Sequence, residues 1–169
     1  MTSDLEPLIV KEEISFSRAV ISELIRATVS KKASFRFKVK GFSMTPFIKD
    51  DDVVTISPLS GASMMLGAPV AFVKDDERKL AIHRVVGKAG SRYLIKGDSC
   101  PEADGLIKPA SILGYVSKIE RSGRNIRFGL GRERIVIAYL SRRNVLRFIF
   151  WIWQIIPFRM RQRLKNIYE

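Results

Sequence analysis

Across 169 residues the chain has one cysteine, Cys100, and one histidine, His83. A lone thiol forms no internal disulfide, and neither residue type is numerous enough for a multi-thiolate or multi-histidine metal centre. No metal and no cofactor is expected. The opening stretch MTSDLEPLIVKEEISFS is acidic and broken by charges, unlike a secretory signal with its basic start and continuous apolar run. Nowhere does the chain reach the roughly 18 consecutive apolar residues that a spanning helix needs. These absences point to a cytoplasmic protein. Acidic residues are also scarce: 17 Asp+Glu face 30 Lys+Arg, a formal net charge of +13. That excess draws a protein toward phosphate-bearing surfaces, nucleic acid or anionic lipid. What remains is ordinary for a globular domain, with 46% hydrophobic and 28% charged residues, enough for one real core and too little for two full domains.

Three textures follow one another. In residues 1–33 the apolar positions Ile14, Ala19, Val20, Ile21, Leu24, Ile25 and Val29 have roughly helical spacing, with Ser15 and Ser17 as candidate caps, so one helix is expected over Glu12–Lys32. In residues 34–130 the period falls to two: Phe35, Phe37 and Val39 alternate with Arg36, Lys38 and Lys40. Further strands are expected at Asp52–Ile56, Pro69–Val73, Lys79–Gly87, Tyr93–Lys96, Ile112–Arg121 and Asn125–Phe128, with turn-rich connections. Many short strands with hairpin-length links imply a mainly β fold, a small coiled antiparallel sheet or barrel. Residues 131–169 form a basic, aromatic helical tail interrupted near Pro157. Between Arg142 and Lys165 it has seven Arg/Lys and no acid, around Phe148, Phe150, Trp151, Trp153 and Phe158. The tail reads either as a helix packed on the sheet or as one lying on an anionic membrane surface through residues 142–165, its apolar part being too short to span.

Two segments can supply chemistry together. In Lys40-Gly41-Phe42-Ser43-Met44-Thr45-Pro46-Phe47 a serine follows a flexible glycine and precedes a stiffening proline, which places Ser43 at an exposed turn. It is not the Gly-x-Ser-x-Gly elbow of α/β-hydrolases, because Thr45 stands where the second glycine would be. The second segment carries His83, then Asp98 and Asp104 after a hairpin. A serine hydroxyl is a poor nucleophile until a base takes its proton, and a neutral imidazole held by a carboxylate suits that task. By composition alone the set is weak, since most proteins contain all three residue types.

Order and context add to it. Ser43-Met44-x-Pro46 after a strand, then Gly67-Ala68-Pro69-Val70-Ala71-Phe72, then Ile82-His83-Arg84-Val85-Val86, then Lys96-Gly97-Asp98 resemble the type I signal peptidases and their self-cleaving repressor relatives. The similarity covers about Phe37 to Gly114. It implies the signal peptidase type of β domain, a serine endopeptidase activity on a peptide or leader-like segment, and Ser43 as nucleophile. Where housekeeping members have a lysine base this chain has His83, which resembles the endoplasmic-reticulum and sporulation-type enzymes. Histidine needs little help to be neutral near pH 7, whereas a lysine must be strongly desolvated. The same subgroup has a second aspartate about six residues after its Lys-Gly-Asp, which makes Asp104 the better candidate to orient His83; Asp98 orders the loop or shares the role. Substrate would lie extended beside strand Phe35–Lys40, with Met44 and Phe72 lining a side-chain pocket unless they are ordinary core.

Two departures stand beside the agreement. Housekeeping signal peptidases have a serine two residues before the nucleophile; here it is Gly41, so the oxyanion must rely on backbone N–H groups such as that of Ser43. The family's N-terminal membrane anchor is not seen, which would leave the active site facing the cytoplasm, with the arginine-rich tail suited to the inner leaflet. Two other readings compete: a DNA-associated repressor-like regulator of the same fold, which +13 suits, and a catalytically inactive peptidase-like binding module. Against the regulator, the N-terminal region offers one helix and not a helix-turn-helix, which makes nucleic acid the weaker partner.

Overall fold

Ile21, Ile25 and Val29 fall four residues apart, a single stripe on a helix, and α1 (Arg18–Ser30) turns that stripe inward, with Ile25 fully buried. The computed structural model describes residues 18–59, 66–74, 79–146 and 148, so the start expected for this helix, Ser15 and Ser17 included, lies outside the described residues. Eight strands follow: β1 (Phe35–Lys38), β2 (Val53–Ser57), β3 (Pro69–Lys74), β4 (Lys79–Ala89), β5 (Arg92–Lys96), β6 (Ala103–Ile107), β7 (Ile112–Arg121) and β8 (Arg124–Ile126). A second helix, α2 (Arg134–Arg142), closes the described part.

The strands form one antiparallel sheet in the order β1-β2-β7-β3-β4-β5-β6, with β8 hairpinned onto β7. Among the described residues β1 does not meet β6, so the fold is mainly β with an open sheet and not a barrel. Alternation along β3 and β4 assigns their faces. Val70 and Phe72 stand opposite His83 and Ala81, while Ala71 and Val73 stand opposite Ile82 and Leu80. One face therefore joins the cluster of Val70, Phe72, Val85, Ile95 and Ile112, and the other joins the cluster that α1 covers with Ile25. α2 rests on β4 and buries Ile137, Ala138 and Ser141. Thus both helices lie against the sheet.

Three expectations are corrected. Strand β6 was not foreseen: Ala103–Ile107 has little β propensity, and its ladder comes from pairing with β5. The last strand stops at Ile126 and leaves Phe128 exposed. The C-terminal helix breaks first at Arg143–Asn144, where Asn144 adopts a left-handed φ of 61°, a conformation asparagine tolerates well; Pro157, where the break was expected, lies outside the described residues.

The turn between β1 and β2 is anchored by Asp52, whose carboxylate is all but fully buried. Arg121 donates to it through Nε (2.8 Å) and Nη2 (2.7 Å), and the Lys49 N–H through a third bond of 2.7 Å. Burial alone would push this carboxyl up, but the Arg121 and Lys49 bonds outweigh it and hold Asp52 below its ordinary 3.8. A depressed carboxyl stabilises the fold above its unfolded value, and the contribution fades as the pH falls through the folded one. Near neutral pH, Asp52→Asn is expected to cost about 1.5–3 kcal/mol in urea unfolding, the worth of hydrogen bonds to a charged group. The gap between wild type and variant should narrow as the pH drops below 3.8, and a pH-independent gap would count against this assignment.

Candidate active site

Ser43 sits in the connection between β1 and β2. Gly41 enters it at φ 118°, a conformation that side chains disfavour, and its N–H donates to Asp50 Oδ1 at 2.7 Å. The chain then coils tightly, with Thr45 N–H on the Phe42 carbonyl and both Phe47 and Ile48 N–H on the Met44 carbonyl. A second turn, Gly97–Cys100, clamps it from outside: Ser99 N–H donates to the Ser43 carbonyl at 2.9 Å and Ser99 Oγ to the Phe42 carbonyl at 2.7 Å. Ser43 itself is half-buried, and among the described residues its own N–H donates to no protein acceptor.

His83 comes from β4 and points to the Phe72 side of the sheet, its ring 5.9 Å from the Phe72 ring. Nδ1 lies 2.6 Å from Asp104 Oδ2, a short contact between two largely buried side chains. The backbone explains why this carboxylate arrives there. In the β5–β6 ladder Ile95 pairs with Gly105 and Lys96 with Ala103, so Asp104 is the extra residue of a bulge, which re-aims its side chain. The other ring nitrogen lies against Gly97, in the turn that clamps Ser43. A Cβ built on Gly97 would lie 3.1 Å from His83 Nε2, 2.9 Å from the Ser43 carbonyl oxygen and 2.5 Å from Cys100 Sγ. Only glycine lets the three meet. Among the described residues no hydrogen bond joins Ser43 Oγ to Nε2.

Asp98 does something else. It accepts from Arg84 Nε (2.9 and 3.1 Å) and Nη2 (2.7 Å), while Arg84 Nη1 donates to the carbonyls of Gly67 (2.7 Å) and Gly129 (3.0 Å). Both side chains are 0% exposed. Consecutive residues of a strand face opposite ways, so His83 and Arg84 cannot share one carboxylate cluster. The reading of Asp98 as a catalytic partner of His83 is therefore set aside: Asp98 orders the loop, and among the described residues Asp104 is the carboxylate that meets the imidazole. Lys96, buried beside it, had no role assigned from sequence; its Nζ donates to the carbonyls of Cys100 (2.7 Å) and Ser141 (2.9 Å) and so ties the turn to α2. Burial, then the charge of Asp104, pushes the Cys100 thiol above its ordinary range, which leaves it a poor nucleophile.

Ser43, His83 and Asp104 line one cavity of about 570 Å³. Its sides are the Phe37–Lys40 segment and the start of β4, Leu80–Ile82, which runs past the point where β5 pairing begins at Arg84. Met44 and Phe72 belong to its floor, but at 3% and 0% exposure they are core side chains that shape the cavity and offer it almost no surface.

The two aspartates are separable by experiment. Asp98→Ala strands a buried guanidinium and should cost about 3–5 kcal/mol or prevent folding. Asp104→Asn should leave urea stability within about 1 kcal/mol, a typical hydrogen bond's worth, while disturbing the Nδ1–H tautomer that a carboxylate enforces. His83 is the only imidazole in the chain, so nitrogen NMR reads that tautomer without ambiguity. An unchanged tautomer in Asp104→Asn would contradict the pairing. No protein-family model matches the chain and no curated protein matches it, which leaves its chemistry to be argued from this geometry.

Proposed function

We propose that the chain is a serine endopeptidase that cleaves an extended peptide or leader-like segment, with Ser43 as nucleophile, His83 as base and Asp104 as the residue that orients it. The 2.6 Å contact between His83 Nδ1 and Asp104, with Nε2 against Gly97 beside the Ser43 carbonyl, carries the reading. It fixes the tautomer in which Nε2 has a lone pair to accept a proton.

The chemistry then runs in two halves. Ser43 Oγ attacks the scissile carbonyl carbon as its proton passes to Nε2, and the carbonyl oxygen becomes an oxyanion. The uncommitted Ser43 N–H, on the nucleophile's own residue, is the backbone donor offered to it in place of the hydroxyl that Gly41 lacks. Imidazolium, steadied by Asp104, returns the proton to the leaving nitrogen as the C–N bond breaks. Water, deprotonated by the same imidazole, hydrolyses the ester and regenerates the serine. Substrate enters as an added strand between Phe37–Lys40 and Leu80–Ile82, where main-chain hydrogen bonds give affinity with little demand on sequence.

A fluorophosphonate probe should label the wild type and not Ser43→Ala. His83→Ala should slow labelling by at least about 10³-fold, and Asp104→Asn should slow peptide cleavage by roughly 10³–10⁴-fold with folding intact. Gly97→Ala, which forces a methyl between Ser43 and His83, should slow both. Labelling that survives in Ser43→Ala would remove the assignment.

A further inference from the structure

The outer surface of α2 exposes three large hydrophobic side chains together. Ile135, Val136 and Tyr139 are 49%, 60% and 52% exposed on a helix whose opposite side, Ile137, Ala138 and Ser141, is buried. Spacings of three and four residues put the exposed three on one stripe, with Arg132 before them and Arg142 and Arg143 after them. The guanidinium of Arg143 stacks 4.3 Å over the Tyr139 ring. Glu133, the one acid in this helix region, turns back on the preceding loop: its own N–H and those of Gly129 and Gly131, the last two at 2.7 and 3.0 Å from Oε1, hold its carboxyl below the ordinary range. The chain continues in kind. From residue 134 to residue 168 the sequence has eight Arg/Lys and no Asp/Glu, with two tryptophans and three phenylalanines, Phe148, Phe150 and Phe158, behind the helix.

We infer that this face of α2 is a docking surface for an anionic lipid bilayer. Aliphatic side chains in the middle of the stripe need an apolar phase, an aromatic ring with a polar edge suits the boundary, and arginines at both ends suit acidic headgroups. Charge alone would serve nucleic acid equally well, but a phosphate backbone has no place for Ile135 and Val136. No helix among the described residues is long and apolar enough to cross a membrane, so the contact is one of lying on the surface. The inference is independent of the peptidase reading, since none of these residues lines the Ser43 cavity.

The test is flotation of the full chain with vesicles of phosphatidylcholine alone or with about one-third phosphatidylglycerol, at physiological salt. Binding is expected to the anionic vesicles only. Val136→Glu with Tyr139→Glu, both at exposed positions, should weaken it at least tenfold, the order expected from withholding two half-exposed apolar side chains and adding two repelled charges. Arg142→Glu with Arg143→Glu should weaken it comparably, and its effect should shrink as salt rises. Failure to float with anionic vesicles would overturn the proposal. So would binding that both double variants leave unchanged, or retardation of duplex DNA that the Val136 and Tyr139 pair does not affect while vesicles stay unbound.

Discussion

A guanidinium with no access to water holds the site together. Arg84 reaches Asp98 in the turn after β5, the Gly67 carbonyl ahead of β3 and the Gly129 carbonyl ahead of α2, and its charge lies 5.2 Å over the Phe47 ring. Removing two charges from water is costly, and the pair returns that cost only because its donors and acceptors are so fully met. The result is positional. Arg84 fixes which face of β4 turns inward, and His83, one residue earlier, must then face the other way, toward Ser43 and Asp104.

The serine turn gains its shape in the same indirect manner. Between residues 41 and 48 there is no regular structure to impose a conformation, so the chain is held by what surrounds it. Asp50 takes the Gly41 amide, Arg121 and Asp52 secure the exit, and Ser99 grips two carbonyls from outside. A turn gripped at both ends holds the Ser43 side chain with less motion than a free loop would, which is what the proposed role as nucleophile requires.

Much of this was legible in the residues. The alternation of Phe35, Phe37 and Val39 gave away the first strand, and the run Ile112–Arg121 marked β7 end to end because both flanks carry turn chemistry. Ser43, His83 and Asp104 were singled out by the order of motifs that carries the resemblance; composition marked only His83, the one imidazole, since serines and aspartates are many. Less legible was whatever long-range pairing decides. Ala103-Asp104-Gly105 has no strand signal of its own and becomes β6 only against β5. Asp98 and Asp104 are chemically alike, and what separates them is the arginine beside the histidine, a neighbour that strand alternation sends to the opposite face. Met44 and Phe72 showed the converse problem: apolar side chains near a cleft read the same whether they greet a substrate or fill the interior.

The bulge in β6 gives the site an arithmetic character. Asp104 reaches the imidazole because one residue more stands between Ala103 and Gly105 than the ladder can pair, so the length of this short segment matters as much as its composition. Losing a single neighbouring amino acid there would restore a regular ribbon and swing the acid toward the reverse side, even with Asp104 and His83 both still encoded.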